Sequence, residues 1–380
     1  TTRANFDDMV DDMRWTPDGS ALVFQAERRG RTPLFRVPAA GGPIAEVLTD
    51  AWIDGWELTP AADAVVYARR SVGEPHELFR SPVAEARPRR LTDFNAELAA
   101  EVDIRPVEEL WVKGDGDHDV HVFLVKPHGF DPSKRYPLIL NVHGGPQGQW
   151  GDAYRGDWQV YPGKGYVVAF PNPTGSTGYG QDFTDGIACD WGGRVYRDLM
   201  KVTDALAELP YVERDRMGAM GWSYGGYMMM WFQGHTDRFK ALAAMMGLFD
   251  LRSFYGATEE LWFPEKDLCG TPWTSEHYER WSPSNYVENF GTPSLVIAGE
   301  LDYRVPYTQS LMYFTALQKR DVPSRLVVYP NAGHWPGWRE MIFYYAAHLE
   351  FFHEWLGGEP SSLDTEQLAR EGVAAEPARD

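Results

Sequence analysis

The chain has 380 residues, of which 55 are acidic and 36 are basic, and its formal net charge is −19. This acidic excess argues against a nucleic-acid partner, because phosphate-binding surfaces need clustered Lys and Arg. No apolar run reaches the ~18 residues that cross a bilayer, so we expect no membrane partner. The length exceeds that of one ordinary domain, and two folded regions are expected.

The amino-terminal third contains an internal repeat with a period of about 43 residues. Residues 15–18, 34–36 and 48–50 correspond in sequence to residues 58–61, 78–80 and 91–93. Short β-rich runs, 21–25 and 64–67, lie between these anchors. A unit of about 40–50 residues with four short strands is typical of one β-propeller blade. We therefore interpret residues 1–106 as the carboxyl-terminal part of a propeller, with a small two-sheet accessory domain as the alternative.

Two blades cannot close a ring, since propellers typically have 4 to 8 of them. The first residue is also Thr and not Met. We therefore expect the remaining blades in an amino-terminal segment of the same precursor, which was removed or lies on another chain.

Residues 107–358 alternate apolar strand candidates with helical patterns, which predicts an α/β fold with a mostly parallel sheet covered by helices. The clearest helical patterns cover 196–209, 305–319 and 339–355. The acidic stretch 115–119 is interpreted as a hairpin turn between strands 110–113 and 120–126, because its spacing matches no calcium loop. We expect no metal and no cofactor. Residues 359–380 form a polar tail that we expect to be frayed or disordered.

A buried strand candidate, 136–142, ends in His143-Gly144-Gly145-Pro146. In an α/β-hydrolase the loop after this strand supplies one backbone donor of the oxyanion hole, and Gly145 is our candidate for it. The alternative for the glycine pair is a plain tight turn.

The stretch Gly221-Trp222-Ser223-Tyr224-Gly225-Gly226 lies between a strand candidate, 217–220, and a helix candidate, 226–232. A G-x-S-x-G pattern in this context is typical of a nucleophile elbow. Ser223 is therefore the candidate nucleophile, and the backbone N–H of Tyr224 is the candidate for the second oxyanion donor. The alternative is a chance glycine–serine loop.

Two further strand candidates end close to an acidic and a basic residue. The strand 294–298 runs into Asp302, and the strand 326–329 runs into His334. Ligands of open α/β sheets bind at the carboxyl ends of strands, and the order Ser…Asp…His is that of α/β-hydrolases. We predict that His334 takes the proton of Ser223 and that Asp302 orients His334. The alternatives are a helix N-cap for Asp302 and a surface turn for His334.

Longer motifs resemble those of the prolyl oligopeptidase family of serine peptidases, and within it the acylaminoacyl-peptidase and dipeptidyl-peptidase V branch. In the family's order they are HGGPQG (143–148), FPNPTGSTGYGQDFTD (170–185), DWGGRVYRDL (190–199), GWSYGGYM (221–228), TEELWFPE (258–265), GTPW (270–273), YERWSPSNYV (278–287), GELDYRVP (299–306) and GHW (333–335). The resemblance implies a peptidase with a Ser223–Asp302–His334 triad beneath a propeller. Other branches place a tyrosine hydroxyl in the oxyanion hole where this chain has His143, so only the backbone donor is carried over.

The resemblance also implies substrate contacts. Arg304 would help to hold a substrate backbone carbonyl, and the segment 247–265 would line the primary specificity pocket. The candidate pocket residues are Phe254, Tyr255, Trp262, Phe263 and Val305. Aromatic walls favour apolar side chains, so we predict an exopeptidase or oligopeptidase that cleaves short peptides and prefers an apolar residue at the cleavage site. A carboxylesterase or lipase with the same triad is the alternative, and a non-catalytic binding protein that kept the fold is a third hypothesis.

The two cysteines, Cys189 and Cys269, are too few for a disulfide framework. They could pair, but we expect free thiols without a catalytic role. The expected partners are a short peptide substrate, the missing propeller segment and, as an open option, further copies of the chain. No signal peptide is evident. The cytoplasm is slightly favoured over a secreted or periplasmic location, because the true amino terminus is expected to lie elsewhere.

Overall fold

The computed structural model describes residues 6–49 and 51–371. The described chain begins with a four-stranded antiparallel sheet whose strands are neighbours in sequence order. They are β1 (Val10–Trp15), β2 (Ala21–Ala26), β3 (Leu34–Pro38) and β4 (Ala45–Leu48). Asp50, a member of the predicted repeat, lies outside the described residues, as do residues 1–5.

A second four-stranded antiparallel sheet repeats this arrangement. Its strands are β5 (Trp52–Leu58), β6 (Ala64–Ser71), β7 (Glu74–Pro82) and β8 (Arg89–Arg90), and helix α1 (Ala96–Glu101) follows. Val23 and Leu34 of the first sheet share one buried apolar cluster with Val65 and Tyr67 of the second. The sequence repeat therefore corresponds to two similar sheets that pack together.

The rest of the chain is built around an eight-stranded sheet with the order β16-β15-β14-β13-β11-β12-β10-β9. Five neighbouring pairs in it are parallel, and the two pairs at the β9 edge are antiparallel. The strands are β9 (Glu108–Lys113), β10 (Asp119–Val125), β11 (Tyr136–Val142), β12 (Val167–Asn172), β13 (Val212–Trp222), β14 (Ala241–Met245), β15 (Ser294–Gly299) and β16 (Ser324–Tyr329). The predicted α/β fold with a mostly parallel sheet is confirmed, and so is the hairpin between residues 110 and 126.

Helices connect the strands of this sheet and cover it. They are α2 (Asp157–Val160), α3 (Gln181–Asp185), α4 (Arg194–Ala207), α5 (Tyr224–His235), α6 (Leu251–Tyr255), α7 (Trp262–Asp267), α8 (His277–Arg280), α9 (Thr308–Lys319), α10 (Glu340–Leu356) and α11 (Thr365–Glu371), with 3₁₀ turns at Pro162–Lys164 and Pro283–Asn289. Across residues 6–49 and 51–371, no helix combines the length and the hydropathy that a membrane crossing demands.

The inner strands of the sheet are buried on both faces, which explains their nearly continuous apolar runs, whereas the edge strands β9 and β16 are partly exposed. Successive side chains of a strand point to opposite faces. Leu138 and Leu140 therefore join the apolar cluster beneath α4, α5 and α9, whereas Ile139 joins the cluster beneath α10.

Two predicted elements differ from the structure. Helix α9 begins at Thr308 and not at residue 305, because the preceding residues form a turn in which Asp302 Oδ1 accepts the backbone N–H groups of Arg304 (3.0 Å) and Val305 (2.8 Å). The tail contains helix α11, whose first residue, Thr365, donates its backbone N–H to Glu350 of α10 at 2.8 Å. The expectation of a disordered tail is therefore wrong for residues 365–371, and residues 372–380 lie outside the described residues.

Candidate active site

Ser223 occupies the sharp turn between β13 and α5, as the nucleophile-elbow pattern predicts. Its backbone has φ 59° and ψ −115°, which is a strained conformation for a residue with a side chain. Hydrogen bonds hold the turn from both sides, since Ser223 N donates to the Met245 carbonyl at 2.8 Å and the Ser223 carbonyl accepts from Tyr227 N at 2.9 Å. The fixed turn places Ser223 on the wall of a cavity.

Gly225, two residues after the serine, lets α5 pack directly against the end of β11. A Cβ atom on Gly225 would lie 2.1 Å from the Val142 carbonyl oxygen, so no other residue fits there. This close approach brings the loop after β11 beside the serine, and a Cβ on Gly144 would lie 3.2 Å from the Ser223 Cβ. The predicted oxyanion loop and the predicted nucleophile are therefore neighbours.

His334 and Asp302 form a buried hydrogen bond, with 2.7 Å between His334 Nδ1 and Asp302 Oδ2. A carboxylate only accepts, so Nδ1 carries the proton and Nε2 of the neutral ring is left as an acceptor. Asp302 is 3 % exposed, and its other oxygen accepts the two backbone N–H groups of the turn before α9. The alternative role of Asp302 as a helix N-cap does not hold, because Tyr307 is the residue that precedes α9. The carboxylate instead holds the turn before the helix through one oxygen and contacts His334 through the other.

The elbow and the histidine loop are also in direct contact. Trp222 Nε1 donates to the His334 carbonyl at 3.2 Å, and the rings of Trp222 and Trp335 stack with 5.4 Å between their centroids. Ser223 and His334 line the same cavity of about 730 Å³, at the carboxyl ends of β13 and β16. Asp302 lies behind His334 at the carboxyl end of β15.

The two predicted oxyanion donors border this cavity as well. Tyr224 is the first residue of α5, where a backbone N–H has no intrahelical acceptor. Gly145 has φ 122° and precedes a cis peptide bond to Pro146. A Cβ on Gly145 would lie 2.6 Å from Gln147 N, so this turn requires glycine. The loop can therefore present a backbone N–H next to Ser223.

His143 is among the residues that line the cavity, and both of its ring nitrogens form contacts within the surrounding loops. Its Nδ1 donates to the Gly144 carbonyl at 2.8 Å, and its Nε2 lies 2.9 Å from the Ser176 hydroxyl. Burial lowers the pKa of His143 to about 4, so the ring is neutral near pH 7.

Four of the predicted substrate-contact residues line the cavity, namely Arg304, Val305, Trp262 and Phe263. Trp191 and Leu248 complete an apolar wall with them. Trp191 was missed because it lies outside the segment 247–265 that the resemblance assigned to the pocket. Its motif, 190–199, was nevertheless one of those that carry the resemblance, and this could have drawn attention to it.

The predicted pocket roles of Phe254 and Tyr255 are wrong, because neither residue is among those that line the cavity. Phe254 is fully buried behind the wall, with its ring centroid 5.9 Å from that of Phe263. The Tyr255 ring packs edge-on against Tyr278 at 5.6 Å. Both lie on α6, which supports the pocket from behind.

Arg304 forms an ion pair at the edge of the cavity. Its Nη2 lies 2.9 Å from Glu260 Oε1, and both side chains line the cavity. The Arg304 Nε atom is buried without a hydrogen-bond partner among the described residues. This guanidinium therefore retains a donor beyond the one that Glu260 uses.

Cys189 and Cys269 form a disulfide bond, so the expectation of free thiols is wrong. Their Cα atoms are 5.5 Å apart although 80 residues separate them in sequence. Sequence spacing gave no sign of this contact, which depends on how the segments before α4 and after α7 fold together. Within the described parts of the chain, no group of three or more His, Cys, Asp or Glu side chains could hold a metal ion.

Comparison with known proteins agrees with this geometry. Residues 153–359 match the model of the prolyl oligopeptidase family. Dipeptidyl-peptidase 5 of Schizosaccharomyces pombe is 37 % identical over 337 residues, which cover 84 % of this chain and 49 % of that protein. Dipeptidyl-peptidase 5 of Porphyromonas gingivalis is 34 % identical over 340 residues, with 87 % of this chain and 49 % of that protein covered.

The fold resembles solved acylaminoacyl peptidases. A structure of such an enzyme in complex with Z-Gly-Gly-Phe-chloromethyl ketone has a TM-score of 0.87 at 25 % identity, and the match covers 96 % of this chain and 59 % of that one. The orthorhombic form of the Pyrococcus horikoshii enzyme gives 0.86 at 25 % identity, with the same coverage. The chain belongs to the prolyl oligopeptidase family, and it spans about half the length of the curated relatives that it matches.

Proposed function

We propose that this member of the prolyl oligopeptidase family carries the catalytic machinery of a serine peptidase that cleaves short peptides through an acyl-enzyme. The observation that carries the proposal is the Asp302–His334 hydrogen bond of 2.7 Å, in a protein where His334 shares one cavity with the strained Ser223. A hydroxyl is a weak nucleophile until a positioned base removes its proton. His334 Nε2 is the acceptor that Asp302 leaves available for that task.

In the first step, Ser223 Oγ attacks the carbonyl carbon of the scissile peptide while its proton moves to His334 Nε2. The tetrahedral intermediate carries a negative oxygen, which accepts hydrogen bonds from the backbone N–H groups of Gly145 and Tyr224. One such donor is worth about 3 kcal/mol of barrier height. Asp302 stabilises the imidazolium that forms on His334 and keeps its ring in place.

In the second step, His334 gives its proton to the leaving nitrogen, the C–N bond breaks, and the acyl group stays on Ser223 Oγ. A water molecule then attacks the ester carbonyl and passes a proton to His334. Collapse of this second intermediate releases the carboxyl product and returns the proton to Ser223. No oxidant, reductant or metal enters this balance.

The pocket beside Ser223 supports a preference for an apolar residue at P1, the residue whose carbonyl is attacked. Its wall is formed by Trp191, Leu248, Phe263 and Val305, and burial of an apolar side chain against them gains about 25 cal/mol per Å². Arg304, which lines the cavity and pairs with Glu260, would donate to a carbonyl of the substrate backbone. The dipeptidyl- and acylaminoacyl-peptidases among the similar proteins make short peptides the substrate class that we propose.

Two chromogenic substrate series test this assignment. We expect kcat/KM for peptidyl p-nitroanilides to exceed the background of a Ser223→Ala variant by at least about 10³-fold, because the triad acts as a unit. An apolar P1 residue should be favoured over a charged one. Robust turnover of p-nitrophenyl esters together with no amide turnover would identify an esterase instead.

We also propose that the two amino-terminal sheets are blades of a β-propeller whose other blades belong to the same precursor. Each sheet is a four-stranded antiparallel meander, and the two pack side by side. The loop between β2 and β3 contacts residues 107–358, since the Gly30 N–H donates to Gln149 Oε1 at 2.8 Å. Intact mass measurement of the native preparation under denaturing conditions tests this proposal. A second polypeptide or a longer precursor supports it, whereas a homogeneous active chain of 380 residues contradicts it.

A further inference from the structure

A buried carboxylate outside the triad joins the two halves of the candidate oxyanion hole. Asp267, the last residue of α7, is 2 % exposed. Gln147 Nε2 lies 3.1 Å from Asp267 Oδ1 and 3.0 Å from Oδ2, and Trp191 Nε1 lies 3.2 Å from Oδ2. No Lys, Arg or His side chain of the described residues lies within ion-pair distance of this carboxylate; burial is the largest influence on its pKa and raises it, while the charge of the adjacent Lys266 lowers it. Burial of a carboxylate that has no ion-pair partner costs folding free energy unless hydrogen-bond donors surround it. The stability of this buried acid therefore depends on the donors of Gln147 and Trp191.

The first partner fixes the loop that presents Gly145. Gln147 is two residues beyond Gly145, in the tight turn that only glycine permits. Its backbone N is the atom closest to the space beside the Gly145 Cα. Anchoring of the Gln147 side chain on Asp267 therefore limits where the Gly145 N–H can point.

The second partner fixes both the pocket wall and the other oxyanion donor. Trp191 lines the cavity, and its indole is stacked on Phe263 with a centroid distance of 6.3 Å. Tyr224 packs edge-on against the same indole at 5.2 Å, and its hydroxyl donates to the Trp191 carbonyl at 2.5 Å. The segment around Trp191 has two more links to this region. The Cys189 N–H donates to the carbonyl of Asp267 at the end of α7 (2.7 Å), and Cys189 forms the disulfide with Cys269, two residues after α7.

We propose that Asp267 is a positioning residue that couples the apolar pocket to the oxyanion hole, so that a P1 side chain seated against Trp191 stabilises the productive geometry of Gly145 and Tyr224. This inference rests on the proposed peptidase function. It makes P1 recognition a determinant of kcat and not of binding alone, because one partner of Asp267, Gln147, lies two residues from Gly145, and the other, Trp191, contacts the Tyr224 side chain.

The replacement Asp267→Asn tests the coupling with an isosteric side chain. The amide keeps one accepting oxygen but puts an NH₂ group where Gln147 or Trp191 donates. Misplacement of catalytic groups by about 1 Å costs up to about 10²-fold. We expect kcat to fall about 10- to 100-fold, KM to change less than about 3-fold, and the kcat/KM preference for Phe over Ala at P1 to narrow.

Glu77→Gln is the matched control, since Glu77 is another buried carboxylate, 1 % exposed, that lies in the second amino-terminal sheet. It should leave kcat and the P1 preference unchanged at a temperature well below both melting midpoints. If Asp267→Asn has the kcat and P1 preference of the wild type, or if Glu77→Gln reproduces its defect, the inference is overturned.

Two milder variants keep the inference testable if Asp267→Asn does not fold. Trp191→Phe removes the indole N–H and keeps an aromatic wall, and Gln147→Met removes the amide at similar size. Each should lower kcat and narrow the P1 preference. Where Asp267→Asn does fold, adding Trp191→Phe to it should lower kcat little further, because both changes break the same contact. Wild-type behaviour of both, or full additivity, contradicts the coupling. These results are distinct from a failure of the peptidase proposal, in which the wild-type protein itself would not hydrolyse the peptides.

Discussion

His334 Nδ1 and Asp302 Oδ2 are 2.7 Å apart across a sequence separation of 32 residues, and the same aspartate accepts two backbone N–H groups through its other oxygen. The orientation of the carboxylate is therefore set by the main chain of the turn after β15. Through the hydrogen bond to Nδ1 the carboxylate in turn orients the His334 ring, which leaves Nε2 as an acceptor on a residue that lines the cavity.

Replacement of Asp302 by Asn should preserve the turn but place a hydrogen-bond donor, instead of an acceptor, against His334 Nδ1. The amide oxygen would stay on the two backbone donors, so the NH₂ group would face Nδ1 and favour the tautomer with a protonated Nε2. We expect kcat to fall about 10³- to 10⁴-fold with an unchanged far-UV circular dichroism spectrum. A loss smaller than tenfold in steady-state hydrolysis would show that Asp302 does not orient the base.

Replacement of Gly145 by Ala should impair catalysis more than folding. The new Cβ would meet Gln147 N at 2.6 Å, and the φ of 122° is unfavourable for alanine, so the loop must move away from Ser223. Loss of one oxyanion donor lowers kcat by about 10²- to 10³-fold. Gly41→Ala is the control, because Gly41 also has a positive φ of 83° but no atom within 4 Å of its Cβ position. Equal activity losses in the two variants would exclude a specific role for Gly145.

Reduction of the Cys189–Cys269 disulfide should lower the thermal unfolding midpoint. The bond closes a loop of 80 residues, and the chain-entropy model gives about 4.5 kcal/mol for a loop of this size. Differential scanning calorimetry with and without reductant measures the effect. The double variant Cys189→Ser/Cys269→Ser should melt near the reduced wild type and should not respond to reductant. A wild-type midpoint that reductant leaves unchanged would contradict a stabilising disulfide.

Stability should decrease as the pH falls below about 6.5, partly because of His348. Burial lowers the pKa of His348 to about 4, whereas an unfolded histidine titrates near 6.5. Above about pH 6.5 both states are neutral; between about 6.5 and 4 only the unfolded state takes up the proton, so stability is lost at up to about 1.4 kcal/mol per pH unit.

The replacement His348→Phe should therefore reduce the drop in melting midpoint between about pH 7 and about pH 5. His353→Phe provides the comparison, since His353 lies on the same helix but is exposed. A drop that is equally large in the wild type and the His348 variant would contradict this assignment.

The sequence predicted the parts of the site that depend on local pattern. The elbow around Ser223, the glycine loop and the strand ends before Asp302 and His334 each have a signature within a few residues. Parallel strands carry their carboxyl ends to one edge, so these four loops could be expected to meet. Their contact within a single cavity, and the hydrogen bond behind His334, required the folded chain.

The parts that the sequence did not predict depend on contacts between distant segments. The pairing of Cys189 with Cys269 and the burial of Asp267 against Trp191 both arise where the segment before α4 meets α7. The resemblance places Phe254 and Tyr255 in the pocket, but on α6 neither residue lines the cavity. Which side of a short helix faces a cavity is decided by tertiary packing and not by composition.

The most direct test of the account is to map the residue that a fluorophosphonate probe modifies. The protein is labelled, digested, and the adduct is located by tandem mass spectrometry, in the wild type and in the Ser223→Ala and His334→Ala variants. We predict one stoichiometric adduct on Ser223, its absence in Ser223→Ala, and labelling slowed by more than about 10²-fold in His334→Ala, because the base no longer activates the hydroxyl. An adduct on another residue, or labelling that Ser223→Ala leaves undiminished, would contradict the proposed catalytic site.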